Sequence, residues 1–274
     1  MRDEGGPRWL LGESSPVVDR YAPQVLYPIP RGEGRGKLDL KDTPPFFGCD
    51  LWHLYELSWL DGEGAPVARV GRLTVPAHSP CMVESKSLKL YLNSLNNAAF
   101  ASEEALRDTV CRDLAGVIGA AVTLALCPPD DPSLAGGTLP GDCLDGLPVP
   151  VPDAAPQADM LETLAGDSVE ETLYTHLFRS LCPVTGQPDW ASLWIRYRGS
   201  PLVREALLGY LLAYRNHRAF HEQCVERIFV DIQRHFEPEL LEVQGFYTRR
   251  GGLDINPLRS TRREAQPLPR LDRQ

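Results

Sequence analysis

Six segments between residues 171 and 255 decide the architecture: ETLYTHLFRSL (171–181), WASLWIRY (190–197), REALLGYLLAYR (204–215), HEQCVERIFVDIQRHF (221–236), LLEVQGFYT (240–248) and LDI (253–255). The first two and the last two are rich in aromatic and β-branched residues and predict strands. In the third, Leu207, Leu208, Leu211 and Leu212 fall on one side of a helix. In the fourth, Cys224, Ile228, Val230, Ile232 and Phe236 are the apolar positions of a second helix. Strand, strand, helix, helix, strand, strand is an α+β order. It predicts an antiparallel β-sheet with a pair of antiparallel helices on one face, and argues against a doubly wound parallel sheet.

The first half repeats this outline. Residues 51–60 (LWHLYELSWL) and 66–76 (PVARVGRLTVP) flank the turn cluster Asp61-Gly62-Glu63-Gly64 and predict a hairpin. Ser102, followed by Glu103 and Glu104, marks a helix start. Leu106, Val110, Leu114, Val117 and Ile118 recur at helical spacing and are expected to be buried. Residues 121–127 predict a further strand. Residues 128–159 are dense in Pro, Gly, Asp and Ala and carry no sustained period, which marks a connection. The chain is therefore divided into modules 1–155 and 156–274.

Composition narrows the function. Of 274 residues, 43% are hydrophobic and 24% charged, an ordinary globular balance. No apolar run is long enough to cross a bilayer, and residues 1–15 have no long apolar core of a secretory signal, so a cytoplasmic protein is expected. Seven cysteines without a CxxC pair argue against a disulfide framework and a paired-cysteine zinc site. The net charge of -9 argues against a nucleic-acid backbone as ligand. Basic residues cluster only locally, which suits a small anionic ligand. GxGxxG and GxxxxGK[ST] loops are missing, so a nicotinamide cofactor would need an unconventional site.

Four segments could carry chemistry. In CPVTGQPD, Cys182 is followed by turn formers and, seven positions on, by Asp189. A thiolate there could act as nucleophile with Asp189 as proton partner, or both could be structural. In HRAFHEQC, His217, His221 and Cys224 lie one turn apart without completing a metal ligand set, while Glu222 could accept two parallel hydrogen bonds from a guanine-like edge. In VESKSLKLY, Glu84 beside two lysines reads either as an exposed ion-pair strand or as a pocket, with Glu84 holding a polar base edge and Ser85 and Lys86 a phosphate. In YTRRGGLDINP, two arginines before two glycines could grip a phosphate or form an exposed turn.

Together, VESKSLKLYLNS, CPVTGQPDW, FHEQCVERI and FYTRRGGLDINP, in this order and with LGESSPVVDRYAPQVLYPIPR (11–31), closely resemble the NADPH-dependent 7-cyano-7-deazaguanine reductases in their longer, two-module form. The resemblance covers nearly the whole chain. It implies tandem tunnelling-fold modules, assembly into a homodimer or larger homo-oligomer, NADPH as the only cofactor, two per turnover, and no metal. It implies a small deazaguanine base as substrate, with no direct nucleic-acid or membrane partner. Cys182 would form a covalent thioimide and Asp189 would donate protons. Val83, Glu84, Ser85, His221 and Glu222 would hold the base, and Ser85, Lys86, Arg250 and Gly251 the NADPH. The chain departs from the family at Leu181, where Asn is frequent, and at Leu258, where an aromatic residue is frequent. Competing readings are a zinc-dependent cyclohydrolase-like pterin enzyme of the same fold and a non-catalytic module that binds a purine-like ligand.

Overall fold

Alternation of apolar residues along long strands builds the molecule. The computed structural model describes residues 18–40 and 43–274; the N-terminal stretch and the first seven residues of the 11–31 segment lie outside the described residues. The described chain begins with β1 (Pro28–Pro30) and α1 (Arg31–Gly36). The hairpin β2 (Phe47–Leu60) and β3 (Pro66–Pro76) follows. Its turn closes because the Asp61 carboxylate accepts the backbone N–H groups of Glu63 and Ala65, both at 2.9 Å. Next come β4 (Cys81–Val83), α2 (Ser85–Ser94), α3 (Glu103–Ile118) and β5 (Thr123–Cys127). Ser102 caps α3 by accepting the Ala105 N–H, and Gly119 ends it at φ 77°, a left-handed conformation that glycine adopts at little cost.

The second half contains β6 (Asp142–Cys143), β7 (Val169–Thr175), β8 (Arg179–Leu181), β9 (Pro188–Gly199), α4 (Arg204–Leu212), α5 (His221–Phe236), β10 (Leu240–Tyr247) and β11 (Leu253–Ser260). The strand expected over 171–181 is broken between β7 and β8. There the Asp145 carboxylate takes the Thr175 hydroxyl (2.6 Å) and the His176 N–H (3.0 Å), drawing the chain off the ladder. β1 and β4 pair as a separate two-stranded sheet, and the other strands form one sheet in the order β5-β3-β2-β11-β10-β9-β7-β6, with β8 paired to β9. Every pairing in it is antiparallel except β6 with β7.

The α+β expectation holds, and the two halves meet inside the sheet, where β11 pairs with β2. One apolar cluster joins α2 and α3 to β2 and β3 through residues such as Leu88, Leu106, Trp52 and Leu73. A second joins α4 and α5 to β9 and β10 through Leu208, Ile228, Ile195 and Val243. The stretch read as a connection packs with this second cluster, through buried Leu144 and half-buried Leu147 and Val149. Residues 84–95 differ from the strand alternative: they form a helix, because Glu84 caps it and Leu88, Tyr91, Leu92 and Leu95 recur at helical spacing and are buried.

Candidate active site

The β8–β9 hairpin puts Cys182 and Asp189 on one face. Ser180 pairs with Asp189 and Leu181 with Pro188. Cross-strand partners share a face and side chains alternate with period two, so Cys182 projects on the side of Ser180 and Asp189. The connecting turn is closed by Cys182 N–H to Gln187 O and Gly186 N–H to Cys182 O, both 2.9 Å. Gly186 sits at φ 69°, a conformation the turn requires and glycine supplies. The Thr185 N–H points at Cys182 Sγ at 3.5 Å.

Both side chains line a cavity of about 420 Å³, together with His221, Glu222, Val83, Ser85 and Arg250. Asp189 is held from two sides: Arg250 donates from Nη1 to Oδ1 at 3.0 Å, and His221 Nε2 lies 3.3 Å from Oδ2. The His221 ring stacks on Tyr247, with centroids 3.7 Å apart and planes at 13°, which fixes its orientation. Glu222 is 4% exposed. Burial pushes its carboxyl above the ordinary value, and the nearby Asp50 carboxylate adds to this, while His221 and Arg31 oppose it. A carboxylate kept buried against that cost is suited to a ligand that brings hydrogen-bond donors. Cys224, one turn along α5 from His221, has a different character. Burial pushes its thiol up to about 12, so it stays protonated.

The third segment divides. Val83 and Ser85 line the cavity. Glu84, between them, does not: its two carboxylate oxygens accept the N–H groups of Lys86 (2.9 Å) and Ser87 (2.6 Å) at the start of α2. Expected to hold the base edge, Glu84 is here engaged in capping the helix, which sets the positions of Val83 and Ser85. Lys86 also lies outside this cavity. The fourth segment divides as well. Arg250 reaches Asp189, whereas Gly251 lines an adjoining cavity of about 280 Å³ with Lys89, Asn93 and Asn96. Gly251 has φ 63°, and a Cβ there would lie 3.1 Å from the Lys89 side chain, so glycine keeps this edge open. The hydroxyl of Ser85, the guanidinium of Arg250 and the ammonium of Lys89 are donors and cations of the kind a phosphorylated cofactor requires. Among the described residues, no group of three or more His, Cys, Asp and Glu side chains is placed to hold a metal ion.

The description "Nitrile reductase, 7-cyano-7-deazaguanine-reductase N-term" matches residues 17–126, and "QueF-like protein" matches residues 188–266. A relative from Dechloromonas aromatica (strain RCB), named NADPH-dependent 7-cyano-7-deazaguanine reductase, is 51% identical over 94% of this chain and 92% of its own. The namesake from Chromohalobacter salexigens is 51% identical over 96% of each chain. The chain belongs to this family. A reductase of the same name from Xanthomonas campestris pv. campestris (strain 8004) is 50% identical over 94% of both. Among solved structures, archaeosine synthase QueF-Like in the apo form aligns with 35% of this chain and 95% of its own, at 17% identity and a TM-score of 0.30.

Several cavity residues of this reductase-family chain were not singled out in the sequence. Ile29, Trp52, Met82, Phe220 and Ile255 supply apolar walls. Trp52 and Ile255 are cross-strand partners on β2 and β11, a pairing that only the tertiary fold creates. Next to Glu222 lies a buried charge network. Arg259 donates to Asp50 (2.8 Å) and Glu226 (2.9 Å), Arg35 to Glu226 (2.8 Å), and Arg31 to Asp50. It ties α1, β2, α5 and β11 together. The one local hint was that Glu226 and Arg259 fall on faces otherwise apolar.

Proposed function

We propose that this protein reduces the nitrile of 7-cyano-7-deazaguanine to the aminomethyl group of 7-aminomethyl-7-deazaguanine, the step that supplies queuosine biosynthesis with its amine. The observation that carries the reading is the meeting in one cavity of a buried thiol, an acid held by His and Arg, and a buried carboxylate that forms no ion pair among the described residues. The Cys182 sulfur attacks the nitrile carbon. One C–N π bond is replaced by a C–S bond, and the thiol proton ends on nitrogen through Asp189, giving a thioimide. This is the purpose of the covalent step: a nitrile accepts hydride poorly, and a thioimide is the better electrophile. Asp189, poised between His221 and Arg250, passes protons to nitrogen as charge develops there. NADPH supplies the two hydrides of the overall reduction. Ser85, Lys86, Arg250 and Gly251 would hold it, with Lys89 alongside Gly251. On completion the C–S bond has broken and the thiol is restored.

Glu222 accepts the donor edge of the base, with His221 beside it and Val83, Trp52 and Ile255 forming an apolar slot for a flat ring. The substrate is the free base, the thiols are free in a cytoplasmic setting, and no metal takes part. Assembly is as a homodimer or larger homo-oligomer. The edge strand β5, paired on one side only to β3, offers a row of backbone groups for such contact. NADPH oxidation with the cyano base tests the reading: two equivalents should be consumed per base. Consumption that does not depend on the base, or none at all, would contradict it.

A further inference from the structure

A second charged cavity lies behind the nucleophile turn. It measures about 520 Å³ and is lined by Lys37, His217, Arg218, Arg227 and Gln223, along with small and apolar residues from the end of α1 and the segment before α5. Three permanent cations and an imidazole converge there in a chain whose net charge is -9, and no acidic residue lines it. Arg227 is partly engaged: its Nε lies 3.4 Å from Asp231, and its Nη2 donates to the Pro156 carbonyl. Among the described residues, the side chains of Lys37 and Arg218 have no ion pair. Gln223 accepts the Phe220 N–H on its carbonyl oxygen at 3.3 Å, which leaves its amide NH2 as a donor. A solvated basic face spreads its charges outward. Here they enclose a concave space, where low-dielectric walls strengthen their attraction for an anion.

We propose that this cavity is a binding site for a small phosphate-bearing anion, separate from the site that holds the base and NADPH. Two guanidinium groups and an ammonium match phosphate in geometry as well as charge, and His217 and Gln223 can donate to its remaining oxygens. Burial, followed by the charges of Arg227 and Lys37, holds His217 below its ordinary pKa. Three cations suit the charge of one phosphate or a pyrophosphate unit. A nucleic-acid backbone needs an extended basic face, and this cluster is local. None of the four residues assigned to NADPH lines it.

The site touches the hairpin that carries Cys182. A Cβ on Gly186 would lie 3.4 Å from the Arg218 guanidinium, so Arg218 packs on the turn that follows Cys182. Leu181 N–H donates to His217 O at 2.9 Å and Ala219 N–H to Leu181 O at 3.2 Å. His217 and Arg218 are thus tied to the hairpin that carries Cys182.

Calorimetric titration of the full chain with pyrophosphate, at constant ionic strength, tests the proposal. One saturable site is expected. Lys37→Ala and Arg218→Ala should each weaken it by about tenfold or more, because each variant removes a charge-assisted hydrogen bond to the anion. Saturating NADPH should leave the site unchanged. Both side chains are exposed, so the variants should unfold at the wild-type denaturant midpoint. Three results would overturn the proposal: no saturable binding, equal binding by both variants, or displacement of pyrophosphate by NADPH, which would assign the cations to the cofactor.

Discussion

Glu222 and Glu226 sit four residues apart on α5, both buried, and their surroundings push them in opposite directions. Glu226 lies among Arg31, Arg35 and Arg259, and those charges hold its carboxyl below the ordinary value in spite of burial. Glu222 lies one turn nearer the cavity, where burial and Asp50 outweigh the help of His221 and Arg31 and hold it above that value. One carboxylate completes the fold. The other forms no ion pair among the described residues. Residue type and burial alone do not tell a structural acid from a binding one; the number of cations facing it does.

The sharpest way to break this contrast is to remove the acids in turn. Glu226→Ala leaves Arg259, which is 0% exposed, without half of its compensation. It should cost about 3–5 kcal/mol of unfolding free energy, measured by denaturant titration, as for a broken buried ion pair. Glu222→Gln should leave stability unchanged or raised, and should weaken binding of the cyano base by about 1–3 kcal/mol, read by equilibrium titration. If Glu222→Gln unfolded the protein and left base affinity intact, the two roles would have to be exchanged.

Smaller effects sharpen the same comparison. Glu84→Ala removes the cap of α2 and should lower stability by about 0.5–2 kcal/mol. It should act on base affinity only through displaced Val83 and Ser85, so Glu84→Asp, which can still cap, should recover much of both losses. The mildest test is pH. In the proposed complex the base N–H groups need an ionised Glu222, whose pKa is raised, so affinity should fall as pH drops towards 4.5, before an ordinary glutamate would titrate. Glu226 has a depressed folded value. Its stabilisation is present above the unfolded value and is lost only as pH falls below 4.5. Base binding should therefore weaken at a pH where the denaturation midpoint still holds, and Glu222→Gln should flatten that part of the binding profile.

The local signals in the sequence were reliable where one element decides its own conformation. β3 spans residues 66–76 and α5 spans 221–236, as periodicity and turn residues predicted. The Cys182–Asp189 relation was equally legible, because a tight turn and period-two alternation fix it within eight residues. Residues 84–95 were misleading: charge suggested an exposed strand, while Leu88, Tyr91, Leu92 and Leu95 carried the helical period. Glu84 has an engagement that its local charge did not announce: its carboxylate caps the helix that begins beside it. What no local pattern could disclose is pairing across the chain. The Arg35–Glu226 contact spans 191 positions, and the Trp52–Ile255 wall depends on β2 meeting β11. For these only the fold explains why the residues meet.

Intact-mass analysis after incubation with the cyano base, without NADPH, tests the central claim most directly. The account predicts one adduct of the mass of the base, lost in Cys182→Ala and retained in Cys224→Ala, whose thiol is buried and protonated. An adduct that survives Cys182→Ala, or none on a protein that oxidises NADPH with the base, would contradict it.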